Sequence, residues 1–376
     1  MARVVISGYY GFNNVGDEAI LIAMKEALLR QDPSLEITVL SANPQLTESQ
    51  YGLRAVGRAD LFPVLKALRE ADLLISGGGS LLQDVTSHRS LRYYLSIMTL
   101  ARMVGCPVML YAQGIGPIGN SYNRWLTRFV LNRVALVTVR DAASADELRS
   151  LGVERPPVHV TADPVVALPP AATEVGAEIL RQAGVELEAP EPLVGVSVRA
   201  WPGREHLTTE AAEALDRLIE RERVRLVFIP MHFPEDLEMT NSLRRVMRHG
   251  DETKVLSNRY HAQELLSAVG HLDLLVAVRL HALIFAAVMN VPAVAISYDP
   301  KVDRFADLVG QPLAGSYEQM SGEELYQAMA RTLSERQAIK QKLAVTVADL
   351  QAAALQNARL AAGLLQSRAE SRVTRH

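Results

Sequence analysis

The alternation of short aliphatic runs with helical patterns constrains the fold of this 376-residue chain more than any other feature. Runs of β-branched and aliphatic residues predict buried strands, and the longer segments between them have the spacing of amphipathic helices. Such alternation is typical of parallel sheets wound with helices. In the first half the predicted strands are Arg3–Ser7, Glu36–Ser41, Asp72–Ser76, Pro107–Ala112, Leu136–Val139 and Val158–Ala162, and the predicted helices are Asp17–Arg30, Ser90–Val104, Tyr122–Asn132 and Ala142–Ser150.

The second half repeats the pattern after two proline-bearing segments. Its predicted strands are Leu193–Val198, Val224–Pro230, Lys254–Leu256, Leu274–Val278 and Ala293–Ser297, and its helices are Thr209–Arg221, Glu235–Arg248, Ala262–Val269 and Ala282–Asn290. The sequence therefore predicts an α/β fold with two doubly wound, Rossmann-like domains facing across a cleft, 1–168 and 193–334, joined by a linker at 169–192. A C-terminal helix of about 335–368 is expected to cross back to the first domain. By analogy, this arrangement of two domains and a terminal helix is a GT-B-like architecture.

The composition argues against several classes of protein. The formal net charge is only −3 and the basic residues are spread along the chain, so we expect no nucleic-acid partner. A single cysteine, Cys106, excludes an intrachain disulfide, and the histidines lack metal-ligand spacing. The apolar stretch 272–296 is interrupted by charged residues and a proline, which favours strand, helix and strand over a membrane span. With too short an apolar N-terminal run for a secretory signal, the chain is expected to be cytoplasmic.

Glycine-rich segments follow three of the predicted strands. Because ligands bind at the carboxyl ends of parallel strands, these loops are candidate sites. The loop from Gly8 to Asp17 allows close backbone approach, and exposed rings at Tyr10 and Phe12 would favour a stacking ligand over a purely structural turn. The triplet Gly77–Gly79 suits a phosphate or sugar hydroxyl, or else close packing of a strand on its helix. Residues 113–117 are more consistent with a plain turn.

The segment Val278–Ala282 is the most informative one. Arg279 would leave the end of an apolar strand and His281 would begin the next helix. A guanidinium in apolar surroundings needs an anionic partner, which is either a bound anion or a protein carboxylate such as Asp273 or Asp299. A core position remains the alternative for His281.

Two further cations follow strands and extend this prediction. Arg140 ends a strand of the first half, and Lys301 follows the strand that ends at Ser297. Together with Arg279 they could hold a multiply charged ligand between the domains. The alternatives are a surface pair of Arg140 with Asp141 or Asp146, and a solvated position for Lys301.

These motifs, in this order, resemble the polysaccharide pyruvyl transferase family, closest to its bacterial cell-wall type. The resemblance covers nearly the whole chain. It implies an enzyme that transfers pyruvate from phosphoenolpyruvate as a cyclic ketal, with no cofactor besides that co-substrate. The implied acceptor is an N-acetylmannosamine residue of a lipid-diphosphate-linked disaccharide, a precursor of the polymer that anchors surface-layer proteins.

The resemblance also implies roles for individual residues. The implied donor site consists of Arg140, Arg279, Leu280, His281 and Lys301. The expected acceptor contacts are Tyr10, Phe12, Asn13, Gly78, Gly79 and Gln83. We expect His281 to be the general acid. The base is open among Asp17, Asp84 and Asp163; we favour Asp17, for which helix capping is the alternative.

A lipid-linked acceptor implies transient contact with the inner membrane surface, which the basic tail at Arg368, Arg372 and Arg375 could assist. Two other functions stay open from the residues alone. The first is a GT-B glycosyltransferase with a nucleotide-sugar donor, and the second is a non-catalytic sugar-phosphate binding protein.

Overall fold

The computed structural model describes residues 1–85, 87–200, 206–316 and 320–373. The chain divides into two units, Met1–Leu168 with Leu350–His376, and Pro169–Asp349. Each unit contains one parallel sheet with helices between its strands. The prediction of two doubly wound, Rossmann-like domains is therefore confirmed.

The first unit is built on an eight-stranded sheet. Its strands are β1 (Arg3–Ser7), β2 (Glu36–Ser41), β3 (Arg54–Gly57), β4 (Leu73–Ser76), β5 (Gly79–Leu82), β6 (Val108–Ile115), β7 (Leu136–Val139) and β8 (Val158–Val160). The order is β3-β2-β1-β4-β6-β7-β8, with β5 beside β6. Its helices are α1 (Val15–Gln31), α2 (Pro44–Tyr51), α3 (Leu61–Glu70), α4 (His88–Met103), α5 (Ser121–Leu131) and α6 (Ala142–Ser150), followed by a 3₁₀ turn at Pro164–Ala167.

The second unit repeats this winding in six strands. They are β9 (Leu193–Ser197), β10 (Arg225–Phe228), β11 (Lys254–Val255), β12 (Leu274–Ala277), β13 (Ala293–Ser297) and β14 (Leu313–Ser316), in the order β11-β10-β9-β12-β13-β14. The helices are α7 (Thr173–Gln182), α8 (His206–Glu222), α9 (Glu235–Val246), α10 (Ala262–Val269), α11 (Leu280–Val288), α12 (Pro300–Leu308) and α13 (Gly322–Ser334). A short 3₁₀ turn lies at Gly250–Glu252, and the long helix α14 (Arg336–Val373) ends the chain.

The strands are apolar along their length because helices cover both faces of each sheet. Every residue of β4, β6, β9, β12 and β13 is buried. The later part of α14 belongs to the first unit. There the buried side chain of Asn357 donates to the carbonyl of Ala162 at 3.3 Å and accepts from the Thr161 hydroxyl at 2.9 Å.

Several features differ from the sequence-based expectation. Helices α2, α3, α12 and α13 were not among the predicted helices. The segment predicted as a linker contains helix α7, which packs on α10: the Gly176 N–H donates to the Ser267 hydroxyl at 3.1 Å, and a Cβ at Gly176 would lie 2.4 Å from the Ser267 backbone. Strands β3, β5 and β14 were not predicted, because each is short and lacks a continuous apolar run. No helix in the described residues is both long and apolar enough to span a membrane.

Candidate active site

The carboxyl edges of the two sheets contain the candidate residues. In sheets of this order, successive strands are added first towards one edge and then towards the other. The change of direction lies between β1 and β4 in the first unit and between β9 and β12 in the second. Ligands of wound sheets bind in the crevice outside the carboxyl ends at this reversal. The loops after these four strands are therefore the expected ligand-binding segments.

The glycine-rich loop after β1 is held by the helix that follows it. Asn14 caps α1 by accepting the Gly16 N–H at 3.1 Å, and the buried carboxyl of Glu18 accepts the Gly11 N–H at 2.8 Å. Burial raises the pKa of Glu18, although the hydrogen bond from Gly11 acts in the opposite direction. Gly11 and Asn13 have positive φ angles of 80° and 58°. The loop thus has a defined conformation.

Tyr10 is a core residue, and the expectation of an exposed ring there was wrong. Its side chain is 1% exposed, and its hydroxyl lies 3.9 Å from the Met24 sulfur. A Cβ at Gly8 would lie 2.4 Å from the Tyr10 ring, and one at Gly77 would lie 2.3 Å from its hydroxyl. These glycines are needed because the ring packs directly on the backbone, so Tyr10 fills the space beneath the loop and does not face an acceptor.

Phe12 belongs to a cluster of aromatic rings around Arg58. Its ring stacks on that of Tyr9 with centroids 4.0 Å apart. The Arg58 guanidinium lies 5.2 Å from the Phe12 ring centroid, 4.2 Å from that of Tyr93 and 5.6 Å from that of Tyr94. Its Nη1 is buried, with no hydrogen-bond partner and no paired carboxylate among the described residues. Sequence reasoning missed Arg58 because it follows β3, a strand that was not predicted.

The second glycine loop is packed tightly against α1. Gly78 and Gly79 are buried, and a Cβ at Gly78 would lie 3.1 Å from the Ile20 side chain. This supports the packing alternative for the glycine triplet. A Cβ at Gly79 would lie 3.4 Å from a carboxylate oxygen of Asp17, so Asp17 lies beside this loop. Asn14, and not Asp17, is the N-cap of α1.

Asp84, one of the three candidate bases, is fully engaged in structural hydrogen bonds. Its carboxylate accepts the N–H groups of Gly119 and Asn120 at 2.8 and 3.0 Å and the Asn123 side-chain amide at 2.9 Å. His88 approaches at 3.5 Å. Burial alone would raise the pKa of Asp84, but these hydrogen bonds outweigh it and hold the pKa below its usual range. Asp84 anchors the segment that leads into α5.

Arg140 is buried and paired with Asp163. Its Nη1 lies 3.1 Å from the Asp163 carboxylate, and its Nη2 donates to the Ser80 hydroxyl at 2.9 Å. Asp141 is a weaker partner, 3.8 Å from Nε. A Cβ at Gly114 would lie 2.7 Å from this guanidinium, so the glycine is needed to accommodate it. Asp163, which the sequence suggested as a candidate base, is therefore the main partner that neutralises Arg140.

Arg279 is paired with Asp236, a residue that sequence reasoning did not select. Its Nε donates to one Asp236 oxygen at 3.0 Å, and its Nη2 donates to the other. Asp236 is fully buried and also accepts the N–H groups of Met231 and His232 at 3.1 and 3.0 Å. A guanidinium in apolar surroundings requires an anionic partner. Asp236, at the start of α9, is that partner, and not Asp273 or Asp299.

His281 is the second residue of α11, separated from the N-cap Arg279 by Leu280. Its side chain is half-buried and its Nε2 atom is buried. The neighbouring Leu280 is buried in the unit. The imidazole therefore lies at a helix N-terminus, where free backbone N–H groups favour an anion.

The remaining cations of this edge lie around Tyr298, which follows β13. Lys301 pairs with Asp299 at 3.0 Å and lies 5.3 Å from the Tyr298 ring centroid. Arg199, which follows β9, lies 4.3 Å from the same centroid and has no paired carboxylate among the described residues. Arg199 borders the winding reversal, yet no motif marks it in the sequence. Its position after a central strand was the signal that could have found it.

The described residues were also compared with the requirements of a metal site. No group of three or more His, Cys, Asp or Glu side chains in that part of the chain is close enough to hold a metal ion.

Comparison with protein families identifies the chain. A family model described as polysaccharide pyruvyl transferase matches residues 14–300. The chain belongs to the polysaccharide pyruvyl transferase family. It is therefore a transferase whose family activity is pyruvyl transfer to a polysaccharide. The match includes Arg58, Arg140, Arg199 and Arg279, and it ends just before Lys301. No curated protein matches the chain significantly.

Solved structures similar to this chain share its fold at low sequence identity. Anabaena Alr3699/HepE, in complex with UDP-glucose, is 16% identical with a TM-score of 0.62, and the alignment covers 100% of both chains. UDP-GlcNAc 2-epimerase from Neisseria meningitidis, bound to UDP-GlcNAc, is 10% identical with a TM-score of 0.66, covering 98% of this chain and 100% of the epimerase. A glycosyltransferase from Rickettsia africae is 11% identical with a TM-score of 0.65, covering 97% and 98%. These likenesses support a GT-B type fold.

Proposed function

We propose that this protein transfers pyruvate from phosphoenolpyruvate, as a cyclic ketal, onto an N-acetylmannosamine residue of a lipid-diphosphate-linked cell-wall precursor in the cytoplasm. The observation that carries the donor half of the proposal is the row of cations at the carboxyl edge of the second sheet. Arg199, Arg279 and Lys301 lie there with His281 at the start of α11. A donor with both a carboxylate and a phosphate suits such a row.

The cations of the donor site differ in the charge they offer. Arg279 and Lys301 are already paired with carboxylates, so their net contribution to an anion is reduced. Arg199 is held by the face of Tyr298, which leaves its charge uncompensated among the described residues. We therefore assign Arg199 the largest share of donor affinity. Asp236 orients Arg279 through Nε and Nη2, and Nη1 takes no part in either contact.

The other residues that the family resemblance assigns to the donor have supporting roles in this proposal. Leu280 is buried and supports the position of His281 at the start of α11. Arg140 is neutralised by Asp163, so it shapes the edge of the first sheet more than it attracts an anion.

The chemistry needs an acid near the donor. His281 delivers a proton to the methylene carbon of phosphoenolpyruvate, which creates an oxocarbenium-like centre at the adjacent carbon. One sugar hydroxyl attacks this carbon and loses its proton to a base. A second hydroxyl of the same sugar then displaces phosphate, which closes the ketal and releases inorganic phosphate with the second proton. Asp17, beside Gly79, is the proposed base.

The acceptor is proposed to bind at the carboxyl edge of the first sheet. The stacked rings of Tyr9 and Phe12 offer an apolar surface to a sugar ring, and Arg58 offers a charge to a phosphate next to it. Asn13, in the same loop, and Gln83, after β5, are half-buried and can supply polar contacts. Gly78 acts by allowing α1 to pack closely, and Gly79 acts by adopting a positive φ of 86°.

The experiment incubates the protein with phosphoenolpyruvate and a synthetic lipid-diphosphate disaccharide that ends in N-acetylmannosamine. We expect stoichiometric phosphate release and a product heavier by one pyruvyl unit. In the matched His281→Gln variant, kcat should fall by about 10²–10⁴-fold while donor affinity changes less. Phosphate release without a ketal product would contradict the proposal, and a near-normal kcat would assign the acid to another residue.

A nucleotide-sugar glycosyltransferase is the second candidate, because the similar structures include HepE with UDP-glucose. The same incubation with UDP-glucose or UDP-N-acetylglucosamine replacing phosphoenolpyruvate separates the two. Turnover only with the nucleotide sugar would support the second candidate and exclude the first.

A further inference from the structure

Helix α5 presents three large aromatic side chains to solvent. Tyr122, Trp125 and Phe129 are 54%, 56% and 42% exposed, and their spacing places them on one face of the helix. Their rings form a continuous row, with centroids 5.9 Å apart between the first pair and 5.6 Å apart between the second. Contiguous exposed apolar surface of this kind marks an interaction site in most proteins. The row therefore needs an explanation beyond the packing of its own unit.

Arginines border this aromatic row. Helices α4 and α5 contain no Asp or Glu, and they contain five arginines: Arg89, Arg92, Arg102, Arg124 and Arg128. The Arg92 guanidinium lies 5.1 Å from the Tyr122 ring centroid, and that of Arg133, just after α5, lies 3.8 Å from the Phe129 centroid. Of these six arginines, only Arg124 forms an ion pair within the described residues, with Glu147 at 3.2 Å. Arg92 and Arg133 therefore place positive charge beside the row, in a chain whose net charge is −3.

The combination of rings and arginines fits one kind of partner. Tyr and Trp side chains accumulate at the boundary between lipid headgroups and hydrocarbon, since one end of each is apolar and the other is polar. Arginines beside them attract anionic headgroups. A second copy of this chain would instead bring Arg92 and Arg133 close to their equivalents in that copy, and like charges oppose such an interface.

We propose that the aromatic row of α5, with its bordering arginines, docks this protein on an anionic lipid surface. The helix would lie in the plane of the headgroups, with Tyr122, Trp125 and Phe129 inserted. Because α5 follows β6, it begins near the carboxyl edge of the first sheet, the edge that also holds the glycine-rich loops. This inference depends on the surface alone and holds whichever group the enzyme transfers.

The C-terminal tail, the surface suggested by the sequence, is a weaker candidate. Arg368 is engaged with Asp72 at 3.8 Å and with the carbonyl of Gly105 at 3.1 Å. Arg375 and the side chain of Arg372 lie outside the described residues. The α5 surface instead combines apolar insertion with charge, and both are needed for stable interfacial binding.

Trp125 itself reports on the proposed contact. The chain has two tryptophans, so Trp201→Phe leaves Trp125 as the single tryptophan, which can be excited selectively at wavelengths that tyrosine does not absorb. Adding vesicles of phosphatidylglycerol and phosphatidylcholine in equal parts should shift its emission to the blue and protect it from acrylamide quenching. Vesicles of phosphatidylcholine alone should produce a much smaller change. An emission spectrum that anionic vesicles leave unchanged would overturn the proposal.

Removal of the row supplies the second test. The triple variant Tyr122→Ala, Trp125→Ala, Phe129→Ala should sediment with anionic vesicles roughly tenfold less well than the natural chain. A matched control, Val246→Ala with Val345→Ala, removes side chains of the second unit that are 50% and 68% exposed, and it should bind as the natural chain does. Equal vesicle binding by the triple variant would overturn the proposal.

Two measurements keep the test decisive. If the triple variant fails to fold, as judged by thermal unfolding, Arg92→Gln with Arg133→Gln replaces it, and this pair should weaken binding to anionic vesicles only. Sedimentation velocity without lipid tests the alternative that a second copy of this chain binds the row. A dimer of the natural chain that the triple variant abolishes would assign the row to a second copy and overturn the lipid proposal.

Discussion

The carboxyl edges of the two sheets each contain two kinds of arginine, and the comparison separates structural charge from charge available to a ligand. In the first unit Arg140 is neutralised by Asp163, whereas Arg58 is surrounded by aromatic rings. In the second unit Arg279 is neutralised by Asp236, whereas Arg199 lies on Tyr298.

A buried ion pair holds local structure together, and an arginine on aromatic faces keeps its charge for another anion. The conspicuous arginine of each edge is thus the structural one. The inconspicuous one is the better candidate for binding.

The largest expected effect tests the structural side of this comparison. Asp236→Ala removes the carboxylate that Arg279 and two backbone N–H groups share, so it leaves a guanidinium uncompensated. We expect the free energy of unfolding to fall by about 3–5 kcal/mol. Chemical denaturation monitored by circular dichroism measures it. Glu235→Ala, a change at an exposed neighbour, is the control. If Asp236→Ala lowers the free energy of unfolding no more than this control does, the pair does not stabilise the unit.

A smaller loss of stability is expected when Asp84 is replaced. Its carboxylate holds the backbone N–H groups of Gly119 and Asn120 and is not paired with an arginine among the described residues. Its pKa is lowered in the folded state, so its ionised form contributes stability that is present above its ordinary pKa of about 3.9 and lost as the pH falls through the folded value. Asp84→Asn should cost about 1–3 kcal/mol at neutral pH and progressively less in acid. Unfolding curves across this pH range check it, and a pH-independent difference would refute the assignment.

The third effect concerns binding and not stability. Arg58→Gln should raise KM for the lipid-diphosphate acceptor by about tenfold and leave the Kd for phosphoenolpyruvate unchanged. Arg54→Gln, at the opposite end of the same strand, is the matched control and should alter neither. If Arg58→Gln unfolds the protein while acceptor binding of the folded fraction is normal, Arg58 belongs to the structural class.

The sequence predicted the winding of both sheets because buried strands and amphipathic helices leave strong local patterns. Several bounds, such as those of β1, β2, β7 and β13, agree with the structure. Strands β3 and β14 were missed because edge strands are half-exposed and lack a continuous apolar run. The missed strand β3 also concealed Arg58.

The site was harder to predict, because pairing depends on which elements the fold brings together. Local sequence suggested Asp273 or Asp299 for Arg279, while the actual partner, Asp236, precedes it by 43 positions. Tyr10 appeared to be an exposed loop residue, but a ring that packs on glycine backbone looks no different in sequence from one that faces a ligand.

In the proposed function, Arg199 supplies donor affinity in addition to the paired Arg279. Isothermal titration of phosphoenolpyruvate into Arg199→Gln tests it most directly, with the exposed Arg245→Gln as the matched control in the same unit. We expect the Kd to rise by about ten- to hundredfold for Arg199→Gln and to stay unchanged for the control. An unchanged Kd for a folded Arg199→Gln protein would contradict the account.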